Sequence, residues 1–278
     1  MGVPAPFSER TIRRLRVYSG RLARTGPGPA SRHPSVFIHM PKCGGTSLSE
    51  AMYATVPIMR RVAVIDAVST RRAAAIWHEG VDDAKLYHED LPKAPALFEF
   101  REQLLLQHMA WGSWLIHGHV LYSERARKHF GSAYKYVTLL RDPVARMISN
   151  YRMAARAGVV EQDFDAYLES PAALSHARVY LRYLGGRTII PEGEESSALA
   201  LSLLRLHSFD CVGFLDDLAQ FKAAYRALFG VSLSIRTANK GAGAAPTLTK
   251  TQRQKVETLC APDIALFEAA RSAFRSRA

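Results

Sequence analysis

The chain has 278 residues, 48% hydrophobic and 22% charged, a globular composition that excludes global disorder and collagen-like structure. Lys+Arg number 37 against 25 Asp+Glu, a formal net charge of +12. That surplus asks for an anionic partner: nucleic acid, anionic lipid, phosphate, sulfate or an acidic polysaccharide.

Residues 1–35 hold seven arginines and a single acid, Glu9. Ser8 is placed to cap a short helix, with Ile12, Leu15 and Leu22 at near-helical spacing. Gly26-Pro27-Gly28-Pro29 then reads as a linker. Residues 1–34 are therefore expected to form a basic arm before one domain, 35–278. Three readings stand for the arm: peripheral contact with an anionic membrane, a solvated extension, or an organellar transit peptide.

Residues 35–39 read as a buried strand, and a glycine turn leads to a helix over 46–52. A strand at 62–65 and helices at 67–79 and 95–109 follow. Residues 114–117 form another apolar run. Residues 134–140, rich in β-branched and aromatic side chains, give the clearest strand, and Arg141-Asp142-Pro143 ends it and opens a helix to 156. Helices are expected at about 163–184 and 196–207, a strand at 209–214, a helix at 216–229, a loop over 230–248 and two helices over 249–275. Trp111 and Trp114 are expected in the core. Strands alternating with helices predict an α/β fold in three layers, a mostly parallel sheet flanked by helices.

The segment Lys42-Cys43-Gly44-Gly45-Thr46-Ser47 joins a strand to a helix. The two glycines let the backbone turn and approach a ligand, and the helix start aims free N–H groups at the same place. Lys42 adds a charge, and Thr46 and Ser47 add hydroxyls. This makes an anion cradle, but not a Walker A loop, in which Lys follows the last Gly. Arg141 ends the best strand, where open α/β sheets bind ligands. Ser149 lies about two helical turns further on, and an Arg with a hydroxyl is a sensible phosphate clamp.

His117-Gly118-His119 follows the run 114–116, so an imidazole sits at the edge of the same crevice. A pKa near 6.5 suits proton abstraction. His39 reads as structural. No Cys or acid cluster completes a metal site around the histidine pair. Three scattered cysteines, Cys43, Cys211 and Cys260, exclude a disulfide framework and point to a reducing, cytoplasmic compartment. No apolar run reaches the roughly 18 residues that span a bilayer.

The strand–P-K-C-G-G-T-S-L segment and Y-V-T-L-L-R-D-P-V-A-R-M-I-S-N-Y, about a hundred residues later, together resemble the sulfotransferase family. The resemblance covers most of 35–270 and is closest to the carbohydrate branch, which includes heparan and uronyl 2-O-sulfotransferases. It implies a P-loop-like fold and 3′-phosphoadenosine 5′-phosphosulfate (PAPS) as cofactor, leaving adenosine 3′,5′-bisphosphate, with no metal. Lys42, Cys43, Gly44, Gly45, Thr46 and Ser47 resemble the 5′-phosphosulfate loop, with Cys43 where many members have Thr. Arg141 and Ser149 resemble the pair on the 3′-phosphate. Thr237-Ala238-Asn239-Lys240-Gly241 resembles the late loop over the nucleotide, with Lys240 as its cation. In the H-G-H-V string the second histidine, His119, corresponds to the base, and His117 supports it or orients the acceptor.

The resemblance implies a soluble, bacterial-type enzyme acting on an acceptor alcohol, a glycan or glycolipid. Tyr180, Arg182 and Tyr183 are expected to shape the acceptor side. Two competing readings are a nucleotide phosphotransferase or hydrolase and a non-enzymatic polyanion-binding protein. No basic helix with interleaved aromatics supports a specific nucleic-acid partner.

Overall fold

The computed structural model describes residues 9–26, 29–89, 92–235 and 248–275. A first helix, α1 (Glu9–Ala23), precedes the sheet. Then come β1 (Ser35–Ile38), α2 (Gly45–Tyr53), β2 (Val62–Ile65), α3 (Ala67–Glu79), α4 (Ala94–Ala110) and β3 (Leu115–Gly118). Helix α5 (Glu124–Phe130) leads to β4 (Lys135–Leu140) and α6 (Pro143–Arg156). Helices α7 (Phe164–Leu168), α8 (Pro171–Ala177), α9 (Val179–Gly185) and α10 (Glu195–His207) precede β5 (Cys211–Phe214). Helices α11 (Leu218–Phe229) and α12 (Lys250–Arg275) follow.

The five strands pair in parallel, in the order β2-β3-β1-β4-β5. Each strand is too short to be stable alone. What holds all but the edge strand β2, where Val64 is 49% exposed, is burial of both faces, the reason these strands read as nearly unbroken apolar runs. Val36 and Ile38 pack toward Phe98 and Leu105 of α4 and Leu266 of α12. Phe37, between them, points the other way, toward Leu48 and Met52 of α2 and Phe221 and Phe229 of α11. Helices thus cover both faces, giving the α/β, three-layer architecture with an all-parallel sheet.

Register fixes the working edge. Ile38 lies beside Gly118, and Phe37 beside Val137. The His39 N–H donates to the Gly118 carbonyl at 3.0 Å, one residue beyond the strands. From β1 the chain departs toward β2 on one side, whereas from β4 it departs toward β5 on the other. A crevice opens where such connections diverge.

Three expectations about elements need correction. The span 163–184 is three short helices, because Asp163 and Ser170 each cap a new start and Pro171 sits in the first turn after Ser170. The chain end is one helix, α12, which runs through Pro262. Its neighbour Asp263 is completely buried and hydrogen-bonded to the backbone of α9, so tertiary bonds outweigh the missing proline N–H. Trp111 is exposed rather than in the core, and Arg61 lies 3.8 Å over its ring. Helix α5 was not anticipated; Ser123 caps it by accepting from Ala126 N–H.

Candidate active site

The loop after β1 is built around backbone conformations that side chains resist. Lys42 has φ +64°, and among the described residues no other non-glycine has a positive φ. Gly44 follows at φ +75° and opens α2. A left-handed lysine is costly unless its surroundings hold it. Here Arg141 Nη1 donates to the Lys42 carbonyl at 3.1 Å, tying the end of β4 to the loop after β1. Gly45 has no room for a side chain, since a Cβ there would fall 1.8 Å from His39 Nε2.

The ammonium of Lys42 lies 3.7 Å from Met153 Sδ, a weak acceptor. Burial lowers its pKa, and Arg141, Arg156 and Arg152 lower it further. Among the described residues neither Lys42 nor Arg141 has a carboxylate within salt-bridge distance. Ser149, Arg152, Met153 and Arg156 occupy positions i, i+3, i+4 and i+7 of α6 and so share one face of that helix. Because Met153 touches Lys42, that face looks onto the loop. Ser149 is half-buried there. Cations gathered at one edge make a local positive field.

The loop residues differ in what they offer. Thr46 is exposed and Ser47 half-buried at the start of α2. Ser47 lines a cleft of about 500 Å³ with Arg13 and Arg16 of α1 and with Ser232 and Ser234. Cys43 points inward: its Sγ lies 3.5 Å from Tyr180 Oη, and burial pushes its thiol pKa up. Its side chain is thus part of the core, and the cradle can use only its backbone. Lys240 lies outside the described residues.

Tyr180 was expected on the acceptor side; it is buried beneath the cradle instead. The Arg141 N–H donates to Tyr180 Oη at 2.8 Å, and Tyr180 O–H donates to the Arg141 carbonyl. Tyr183 and Arg182 are also buried. Tyr180 therefore positions Arg141.

The histidines converge at the same edge. Tyr53 Oη meets His117 Nδ1 at 2.6 Å, and His117 Nε2 meets His39 Nδ1 at 2.9 Å. His39 stacks on His119 with ring centroids 4.4 Å apart. His39 is thus more than the structural residue the sequence suggested: it joins the loop glycine, His117 and His119 into one packed group. Both ring nitrogens of His117 are engaged inside the protein. The His119 ring is half-buried, and its backbone carbonyl accepts from Arg101 Nη1 at 3.1 Å. Burial holds all three imidazoles neutral. His39 is lowered to about 4, with Lys42 adding to the effect, and His117 and His119 lie well below the usual histidine range.

Another cleft, of about 610 Å³, is lined by Glu99, Glu102, Glu124, Arg125, Arg187 and Arg205 among others and by none of the candidate site residues. Its charges are of both signs.

No family model matches the chain, and no curated protein matches it. Among solved structures the chain is similar to a sulfotransferase from Alicyclobacillus acidocaldarius, with 18% identity over 87% of this chain and 99% of that one and a TM-score of 0.44. It is also similar to a chain from the PezAT chromosomal toxin–antitoxin system of Streptococcus pneumoniae, with 10% identity over 95% and 99% and a TM-score of 0.34.

Proposed function

We propose that the chain is a PAPS-dependent sulfotransferase that transfers a sulfonate group to an acceptor hydroxyl on a carbohydrate or glycolipid. One observation carries the reading. Lys42 and Arg141, with no carboxylate within salt-bridge distance among the described residues and joined by a 3.1 Å bond, stand at the ends of adjacent strands beside a neutral histidine group. The donor set fits a nucleotide with phosphate at two positions. Lys42 and the start of α2 would hold the 5′-phosphosulfate, and Arg141 with Ser149 the 3′-phosphate.

In this scheme His119 accepts the proton of the acceptor hydroxyl. The oxygen forms a bond to sulfur as the bond from sulfur to the 5′-phosphate oxygen breaks. Lys42 neutralises the charge that develops on that leaving oxygen. A base must be unprotonated to act, and burial keeps His119 so at neutral pH. His119 suits the role better than His117, whose two nitrogens are already bonded. His117, with Tyr53 and His39, instead fixes the packing of the group.

The test is PAPS-dependent sulfonation against a panel of glycans, glycolipids and small alcohols, with His119→Ala beside wild type. The variant should lose about 10²–10⁴-fold in rate and still bind adenosine 3′,5′-bisphosphate. Near-wild-type turnover would reject His119. Preference for ATP with magnesium over the bisphosphate in a thermal-shift comparison would replace the reading with a phosphotransferase.

A further inference from the structure

Helix α1 docks the wrong way round for an ordinary surface helix. Amphipathic helices bury their apolar stripe and show charges to water. Here the inward face carries Arg13, Val17, Gly20 and Arg24, which line the cleft against α2, with Ile12, Arg16 and Ser19 at its rim. Gly20 sits so close to Ala54 that a Cβ would fall 2.9 Å from its methyl. Outward point Leu15, Tyr18 and Leu22, between 55% and 63% exposed, and Ile12 at the cleft rim is 41% exposed. At 100° per residue Leu15 and Leu22 lie at the centre of that stripe, with Ile12 and Tyr18 at its sides.

This orientation is locked. Arg21 donates through Nε to the Val56 carbonyl at 3.2 Å and through Nη2 to those of Pro57, Ile58 and Arg60, at 2.6 Å for the last. Arg13 pairs with Glu50 at 3.6 Å. The loop that Arg21 grips itself shows Ile58 and Met59, the latter 82% exposed. Arg14 and Arg16 border the stripe, are exposed, and have no carboxylate within salt-bridge distance among the described residues.

We infer that α1 is an interfacial helix that seats this protein on an anionic lipid bilayer. An apolar stripe rimmed by arginines matches acyl chains below and lipid phosphates beside them. Charge selects the occupant. A second copy of the chain would bring its own arginines against these, whereas a bilayer rich in phosphatidylglycerol brings the opposite sign. The inference does not depend on the transfer chemistry, because α1 holds none of the residues proposed to carry it.

Flotation of the full chain with vesicles decides the matter. Expected is binding to vesicles of equimolar phosphatidylcholine and phosphatidylglycerol, little to phosphatidylcholine alone, and weakening with salt. Leu15→Ser and Leu22→Ser should each cut partition by about tenfold. Both side chains are exposed, so the thermal midpoint should stay at wild type and folding is separable from binding. No flotation at low salt, or binding that the variants leave unchanged, overturns the inference. Concentration-dependent self-association in the absence of lipid, abolished by the same variants, also overturns it and assigns the stripe to a second copy.

Discussion

Helix α6 has two faces that treat positive charge in opposite ways. On the inward face Arg146 is fully buried, donates to the His176 carbonyl at 2.6 Å and lies 3.4 Å from Asp263. Asp263 in turn accepts from the Tyr180 and Leu181 N–H groups at 2.8 and 3.1 Å. On the face toward the β1 loop, Ser149, Arg152 and Arg156 gather near Lys42, and both arginines join Arg141 in lowering the pKa of that lysine. The same contrast separates Arg101 from Arg141. Arg101 is buried against Glu89 at 2.6 Å, whereas the Arg141 guanidinium donates to the Lys42 carbonyl and, among the described residues, has no carboxylate within salt-bridge distance. A buried cation is tolerated when an acid is paired with it, and one left unpaired at a crevice is held there at a cost that a bound anion repays. One face of α6 thus carries a buried ion pair, and the other carries a cluster of like charge beside the loop.

The sharpest way to break that contrast is to unbalance the scaffold. Asp263→Ala leaves Arg146 buried without its acid and two backbone N–H groups without acceptors. It should cost about 3–5 kcal/mol in urea unfolding. Arg146→Met combined with Asp263→Leu should cost far less, since it removes both charges. A small loss in the single variant would mean that the inward face is not a balanced pair.

Next in size is the open face. Arg141→Ala should weaken adenosine 3′,5′-bisphosphate binding in calorimetry by about 10- to 100-fold, the worth of a charge-assisted contact. Its stability should change much less than that of Asp263→Ala. If stability falls and affinity does not, Arg141 belongs with the scaffold.

These two regions were not equally legible in the sequence. The cradle is local: strand, lysine, glycines and helix start lie within a dozen residues, so pattern and chemistry coincide. Arg141 is legible because it ends the most strand-like segment. The Tyr53–His117–His39 chain is not, because it exists only through the β1–β3 register, between residues 64 and 78 positions apart. Tyr180 was misplaced because 163–184 reads as one helix; only the breaks at Ser170-Pro171 and Arg178 turn its hydroxyl beneath Arg141. The serine cap followed by proline was the signal that could have placed it. The orientation of α1 was hidden for a related reason: periodicity shows a stripe but not which way it faces.

Smaller still, at about 1.4 kcal/mol per pH unit, is the change that His39→Asn should make to the response of stability to acid, which tests both regions at once. Burial lowers the folded pKa of His39 to about 4 and holds those of His117 and His119 well below their unfolded value near 6.5. As pH falls through 6.5 the unfolded chain binds protons that the folded chain refuses, so stability drops by about 1.4 kcal/mol per pH unit for each such proton. Asp263 acts with the opposite sign. Burial pushes its folded pKa up to about 6 against the pull of Arg146, so the folded chain takes up one proton before the unfolded chain does. Between roughly pH 6 and 4, three histidine protons are thus set against one aspartate proton, and net stability should fall with acid. His39→Asn removes one of the three and should flatten the slope by one proton's worth. A slope that the variant leaves untouched would show that His39 takes up its proton as readily in the folded chain as in the unfolded one, and that burial does not hold it neutral.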